Sequence, residues 1–226
     1  MYYPGNKNIP GLIQKIINQI PPCTDFFELY AGSAAVSTFL SKKTNGTLQF
    51  YINDLDQEVT DNFDYPAGCT VTNLPAVDII KSLSSIPPGK NNFVFLDPPY
   101  MFDTRPNSLN LYECEMTTAD HVQLLLAILE LKCNCMIIHP QCQLYDQSLA
   151  DWRTVQIKVR YHNKTSIEKL YMNYPDPVQL QTYVAAGTDC WDRQRIKRKG
   201  DRLVQKLLSL PEVERNYILN RLSNSF

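Results

Sequence analysis

A chain of 226 residues with 44% hydrophobic and 20% charged positions is long enough for one full core plus a small appendage, and its composition is that of an ordinary globular protein. Its 22 lysines and arginines nearly balance 23 aspartates and glutamates, which excludes a polycationic surface and confines any nucleic-acid contact to a local patch. No apolar run approaches the ~20 residues of a membrane span, the opening MYYPGNKN lacks the apolar stretch of a secretion signal, and seven cysteines without a regular framework suit a reducing compartment; a cytoplasmic protein without membrane contact is expected.

Residues 9 to 20 carry Ile9, Leu12, Ile13, Ile16, Ile17 and Ile20, a helical stripe that Pro21 and Pro22 end. FFELYAG (26–32) reads as a strand running into a small-residue turn, and 33–42 as a helix whose first residues are all small, so that something can approach the backbone. QFYINDLD (49–56) is a second strand with acidic residues at its end, and CTVTN (69–73) a weaker third. The run FVFL (93–96) is short, aromatic-rich and apolar throughout, a buried strand that stops where Pro98 and Pro99 withhold two backbone donors. Asp97 therefore stands at a strand's carboxyl end, where open α/β sheets bind ligands. Thr117 with Asp120 three residues on approximates a capping box for a helix continuing to Leu131. NCMIIH (134–139), WRTVQIKV (152–159) and EKLYMNY (168–174) are three more strands, the last two a hairpin joined by the polar loop YHNKTSI (161–167).

This alternation predicts an α/β protein with a mostly parallel sheet covered on both faces and closed by an antiparallel edge strand. From about Thr188 the texture changes to a basic, helical extension, dividing the chain into 1–187 and 188–226. Arg193, Arg195, Lys197, Arg198, Lys199 and Arg202 there form either a solvated face or a patch that contacts phosphates.

The turn AGSAAVS (31–37) has a single glycine, so neither a dinucleotide site nor a phosphate loop is supported. An adenosine-type cofactor without phosphate would instead need close backbone approach at Gly32 and a carboxylate for its ribose at the end of the next strand. Asp54 stands there, although acidic residues at strand ends also serve solubility. Cys133, Cys135, His139 and Cys142 could offer four zinc ligands, but NCMIIH (134–139) reads as a buried strand and the C-x-C spacing matches no common zinc knuckle, and no metal is expected.

YPGNK (3–7), FFELYAGSAAV (26–36), NDLD (53–56), DPPY (97–100), YECEMT (112–117) and EKLYMNY (168–174) occur in one order. In that order and character the chain, over about residues 2–175, resembles the D12-class, Dam-like DNA adenine-N6 methyltransferases in their compact bacterial and phage versions. The resemblance implies a Rossmann-like methyltransferase sheet, S-adenosylmethionine as cofactor and DNA as partner. By matching position, Tyr3 and Lys7 would line the methionine end of the cofactor, Glu28 and Gly32 the strand-turn beneath it, and Asp54 its ribose, with Asp97 at the junction of cofactor and base. Asp97, Pro98 and Tyr100 would be the catalytic corner, two oxygens and a ring that receive an adenine flipped out of the duplex. The same chemistry on RNA or a protein amide, and a nucleic-acid-binding module with a decayed methyltransferase core, are the alternatives. The interval between Gly32 and Asp97 has no room for a separate target-recognition domain. Choice of sequence is therefore assigned to loop 101–116, with Arg105 and Asn107, to the basic tail, or to a partner.

Overall fold

The computed structural model describes residues 7–9, 11–44, 46–85, 91–105, 111–161 and 164–224. The chain divides into two compact units, residues 1–184 and 185–226.

In the first unit seven strands form one sheet: β1 (Asp25–Leu29), β2 (Gln49–Asn53), β3 (Thr70–Thr72), β4 (Asn92–Leu96), β5 (Asn134–Pro140), β6 (Arg153–Tyr161) and β7 (Lys164–Met172). Their order is β3-β2-β1-β4-β5-β7-β6. β1 to β5 pair in parallel, and β7 lies antiparallel to both β5 and β6, so the hairpin closes one edge of a Rossmann-like sheet. The polar segment expected as the hairpin loop is mostly strand: pairing runs out to Tyr161↔Lys164. On a two-stranded edge the ladder bonds, not side-chain polarity, decide how far the strands reach.

Helix α1 (Leu12–Ile17) precedes the sheet, and α2 (Ala35–Ser41), α3 (Gln57–Asn62), α4 (Ala76–Ser84), α5 (Thr118–Leu129) and α6 (Gln143–Ser148) connect the strands. β4 shows why a continuous apolar run was needed. Phe93 and Phe95 point into a cluster with α1 and α2, while Val94 and Leu96 point into one with α4 and α5. Every residue of β4 is buried, and each large side chain removed from water on either face contributes about 1.5–3 kcal/mol. Phe26 of β1 stacks on Phe93 with centroids 5.5 Å apart, locking the central pair. Thr117 and Asp120 form the reciprocal cap of α5.

The second unit holds α7 (Cys190–Leu208) and α8 (Glu212–Ser223), with Asp189 capping α7 through the Asp192 N–H at 2.8 Å. Arg195, Lys197, Arg198, Lys199 and Arg202 are exposed on α7, and Arg195 pairs with Asp192. Among the described residues no helix is long and apolar enough to cross a membrane.

Candidate active site

The chain crosses from β1 to one side and from β4 to the other, so the strand order reverses between these neighbours and their carboxyl ends open a crevice. Leu29 and Leu96 are paired in register there. The turns leaving these two strands, together with the turn leaving β2 beside them, make the site.

After Leu29 the backbone is left-handed at Tyr30 (φ 60°), Gly32 (φ 50°) and Ala34 (φ 45°). Glycine adopts this freely, but the tyrosine and alanine each bear about 1–2 kcal/mol of strain. The corner is held by carboxylates. Glu28 accepts the N–H groups of Val36 (3.3 Å) and Ser37 (2.7 Å) at the start of α2, and Asp54 accepts those of Gly32 (2.8 Å) and Asp56 (3.0 Å). The Tyr65 hydroxyl donates to the Gly32 carbonyl at 3.0 Å.

After Leu96 the Asp97 carboxylate receives the Lys7 ammonium on Oδ2 at 2.7 Å. The Lys7 side chain is 4% exposed, and its nitrogen also lies 5.0 Å from the centroid of the Tyr100 ring. Burial pushes the Asp97 carboxyl up to about 6 even though Lys7 pulls the other way. It pushes Glu28 up to about 7 against the lowering hydrogen bonds from Ser37 and Val36, and raises Asp54. Three carboxyl groups with weakened acidity thus share one crevice, the signature of groups kept from water near a functional site.

A cavity of about 490 Å³ occupies this crevice, its wall including Lys7, Glu28, Asp54, Asp97, Pro99 and Tyr112. That size falls within the roughly 300–1,000 Å³ of small-molecule sites. The structure therefore brings four of the expected site residues together on one wall, Lys7 from the first motif, Glu28, Asp54 and Asp97. Gly32 joins them through its N–H on Asp54. Pro98 is buried and, like Tyr100, is not part of that wall, and Tyr3 lies outside the described residues. Tyr100 is fixed at both ends: its hydroxyl donates to Glu168 Oε2 at 2.8 Å and its carbonyl accepts from Arg105 Nε at 2.8 Å.

Arg105 differs from expectation. The loop that carries it is one of three candidates for target reading, beside the basic tail and a partner, yet Arg105 itself is only 9% exposed and grips Glu115 with two parallel bonds of 2.7 and 2.6 Å. A planar guanidinium with a bidentate carboxylate partner is spent on shaping the loop. Asn107 lies outside the described residues. His139 is engaged at both ring nitrogens, by the Met101 N–H at 3.1 Å and the Pro140 carbonyl at 2.7 Å. Among the described residues no group of three or more His, Cys, Asp or Glu side chains is placed to hold a metal ion.

Sequence reasoning gave no individual role to Tyr112, Glu168, Tyr65 or His139. Glu168 is 1% exposed, yet in the sequence it stands beside Lys169 in a strand of mixed polarity and carries no signal of burial. All four become visible only when distant segments meet.

No protein-family model matches the chain, and no curated protein sequence matches it. Solved structures similar to it include a putative methyltransferase from Thermoplasma acidophilum, with 11% identity over 68% of this chain and 68% of that one at a TM-score of 0.40. A SAM-dependent methyltransferase from Aquifex aeolicus shares 14% identity over 72% of this chain and 89% of that one at 0.43. Human methyltransferase-like protein 13, solved with SAH, shares 14% identity over 83% and 87% at 0.45.

Proposed function

We propose that this chain transfers a methyl group from S-adenosylmethionine to the N6 amine of adenine in DNA. The observation that carries the reading is the position of Asp97. It ends the central strand β4, is braced by two prolines, and faces the same cavity as Glu28 and Asp54.

The cavity suits such a cofactor in volume and in donor set. Asp54 offers carboxylate oxygens at the end of β2 to a diol, the left-handed turn at Gly32 lets a ligand approach the backbone, and neither presents a cradle of N–H groups for phosphate. When bound, the cofactor supplies a methyl group on a positively charged sulfur that departs as a neutral thioether. The chain's own contribution is to the nucleophile. Adenine's amino lone pair is delocalised into the ring, and hydrogen bonds from its two N–H groups to the Asp97 carboxylate and the Pro98 carbonyl localise that pair and aim it. Such orientation and fixed electrostatics each supply several kcal/mol. The carboxylate then holds the proton that the methylated amine sheds.

The base must leave the duplex to reach this corner, at a cost of a few kcal/mol. Stacking on Tyr100, about 1–3 kcal/mol per base, offsets part of it. The ring is already held by Glu168 and the Arg105 bond to its carbonyl, so it does not need to be ordered on binding. Lys7 stands over that ring, so an incoming base displaces the ammonium or takes the other face.

The test is tritiated methyl transfer with duplex DNA, RNA and protein offered in parallel. Label on adenine N6 of DNA is the expected result. Label confined to RNA or protein would move the chemistry to another substrate, and binding of DNA without any transfer would mark a decayed core.

A further inference from the structure

His139 is the last but one residue of β5 and is fully buried, far from any solvent that would explain a polar ring. Its surroundings assign its protons. A backbone N–H can only donate, so Nε2, 3.1 Å from the Met101 nitrogen, must present its lone pair. The proton then sits on Nδ1, 2.7 Å from the Pro140 carbonyl that accepts it. This is a complete set of bonds for one neutral tautomer. The ring lies flat on Tyr145, with centroids 4.1 Å apart at 10°, and meets the Tyr100 ring edge-on at 5.2 Å and 65°.

We infer that His139 is a positioning residue for methyl transfer, pinning the chain just after the Asp97-Pro98-Pro99-Tyr100 corner through the Met101 N–H and bracing the Tyr100 ring from its edge. The inference rests on the methyltransferase reading for its kinetic consequence, while the pin itself is a property of the fold. Prolines 98 and 99 have no N–H, so Tyr100 and Met101 carry the first two backbone donors after Asp97, and the Met101 N–H is anchored to β5 through His139. Arg105 on the Tyr100 carbonyl and Glu168 on its hydroxyl complete a clamp drawn from a loop, β5 and β7. Loss of the pin frees the turn by the fraction of an ångström to which oriented catalysis is sensitive. Burial depresses the imidazole's proton affinity to about 3, which keeps the acceptor lone pair available at every working pH.

His139→Phe keeps the flat ring and removes the acceptor; His139→Gln restores an acceptor at similar reach. Circular dichroism and cofactor titration check that both variants fold and bind S-adenosylmethionine as the wild type does. In the Phe variant kcat should fall about tenfold or more with the cofactor Kd unchanged, and amide exchange across residues 100–105 should accelerate. The Gln variant should recover most of both. Unchanged exchange in the Phe variant, an unchanged kcat, or a Gln variant as impaired as Phe would each overturn the proposal. If the Phe variant does not fold, nitrogen NMR of the wild-type imidazole decides: protonated Nδ1 supports the pin and protonated Nε2 overturns it. A wild type that binds cofactor but labels no DNA would refute the DNA reading alone, because the exchange rates would still report on His139.

Discussion

Asp97 meets two demands of opposite sign. In the proposed reaction it accepts from an amine and must be ionised, yet burial pushes its carboxyl up to about 6, so methyl transfer should lose rate as pH drops through about 6; a kcat profile flat from pH 7 to pH 5 would count against that role. Stability runs the other way. Because folding raises this pKa above its ordinary 3.8, the linked stability is fully present below that value and is lost as pH rises through about 6, and Glu28, raised to about 7, acts in the same direction. Lys7 limits the loss by pairing with Asp97. Asp97→Asn should therefore abolish the proposed transfer while costing up to about 3 kcal/mol of stability, since it removes the carboxylate that pairs with the buried Lys7 ammonium. Combining it with Lys7→Met should return most of that stability in urea unfolding and none of the activity.

At the level of elements, the loop after the proline corner is held by Arg105 and Glu115, and Glu115 also accepts the N–H groups of Leu111 (2.6 Å) and Tyr112 (3.1 Å). Burial raises the Glu115 carboxyl, but these bonds overcome it and hold the group below its ordinary range. Glu115→Ala should destabilise the protein by about 3 kcal/mol and speed amide exchange across 111–116, with Tyr112 released from the cavity wall. Unaltered exchange there would mean the loop is held by something else. The hairpin of β6 and β7 has a comparable role, since it carries Glu168 to the Tyr100 hydroxyl. Its strands were legible as apolar alternation, whereas their extension through a polar stretch was not, because ladder bonds outlast the hydrophobic signal. Arg105 misled for a related reason: a lone arginine in a polar loop reads as solvent-facing, and only the proximity of Glu115 shows it turned inward.

For the molecule as a whole, net charge is near zero while α7 gathers its cations on exposed positions, so attraction for a polyanion would be local. In the proposed DNA complex, neutralising Arg195, Lys197 and Arg198 together should weaken binding and flatten its dependence on salt by about three phosphate contacts, read as the slope of log K against log salt. An unchanged slope would make these residues a solvated face. The sequence by itself determined that strands would alternate with helices, that β4 would be buried on both sides, and that Asp97 would end it, because periodicity, apolar runs and proline act within a few residues of themselves. Only the tertiary structure decided that Lys7 would meet Asp97, that Asp54 would hold the Gly32 turn, and that Arg105, His139 and Glu168 would close on Tyr100. Those pairings join side chains up to 90 positions apart in sequence; they depend on strand order and register, which no local pattern encodes.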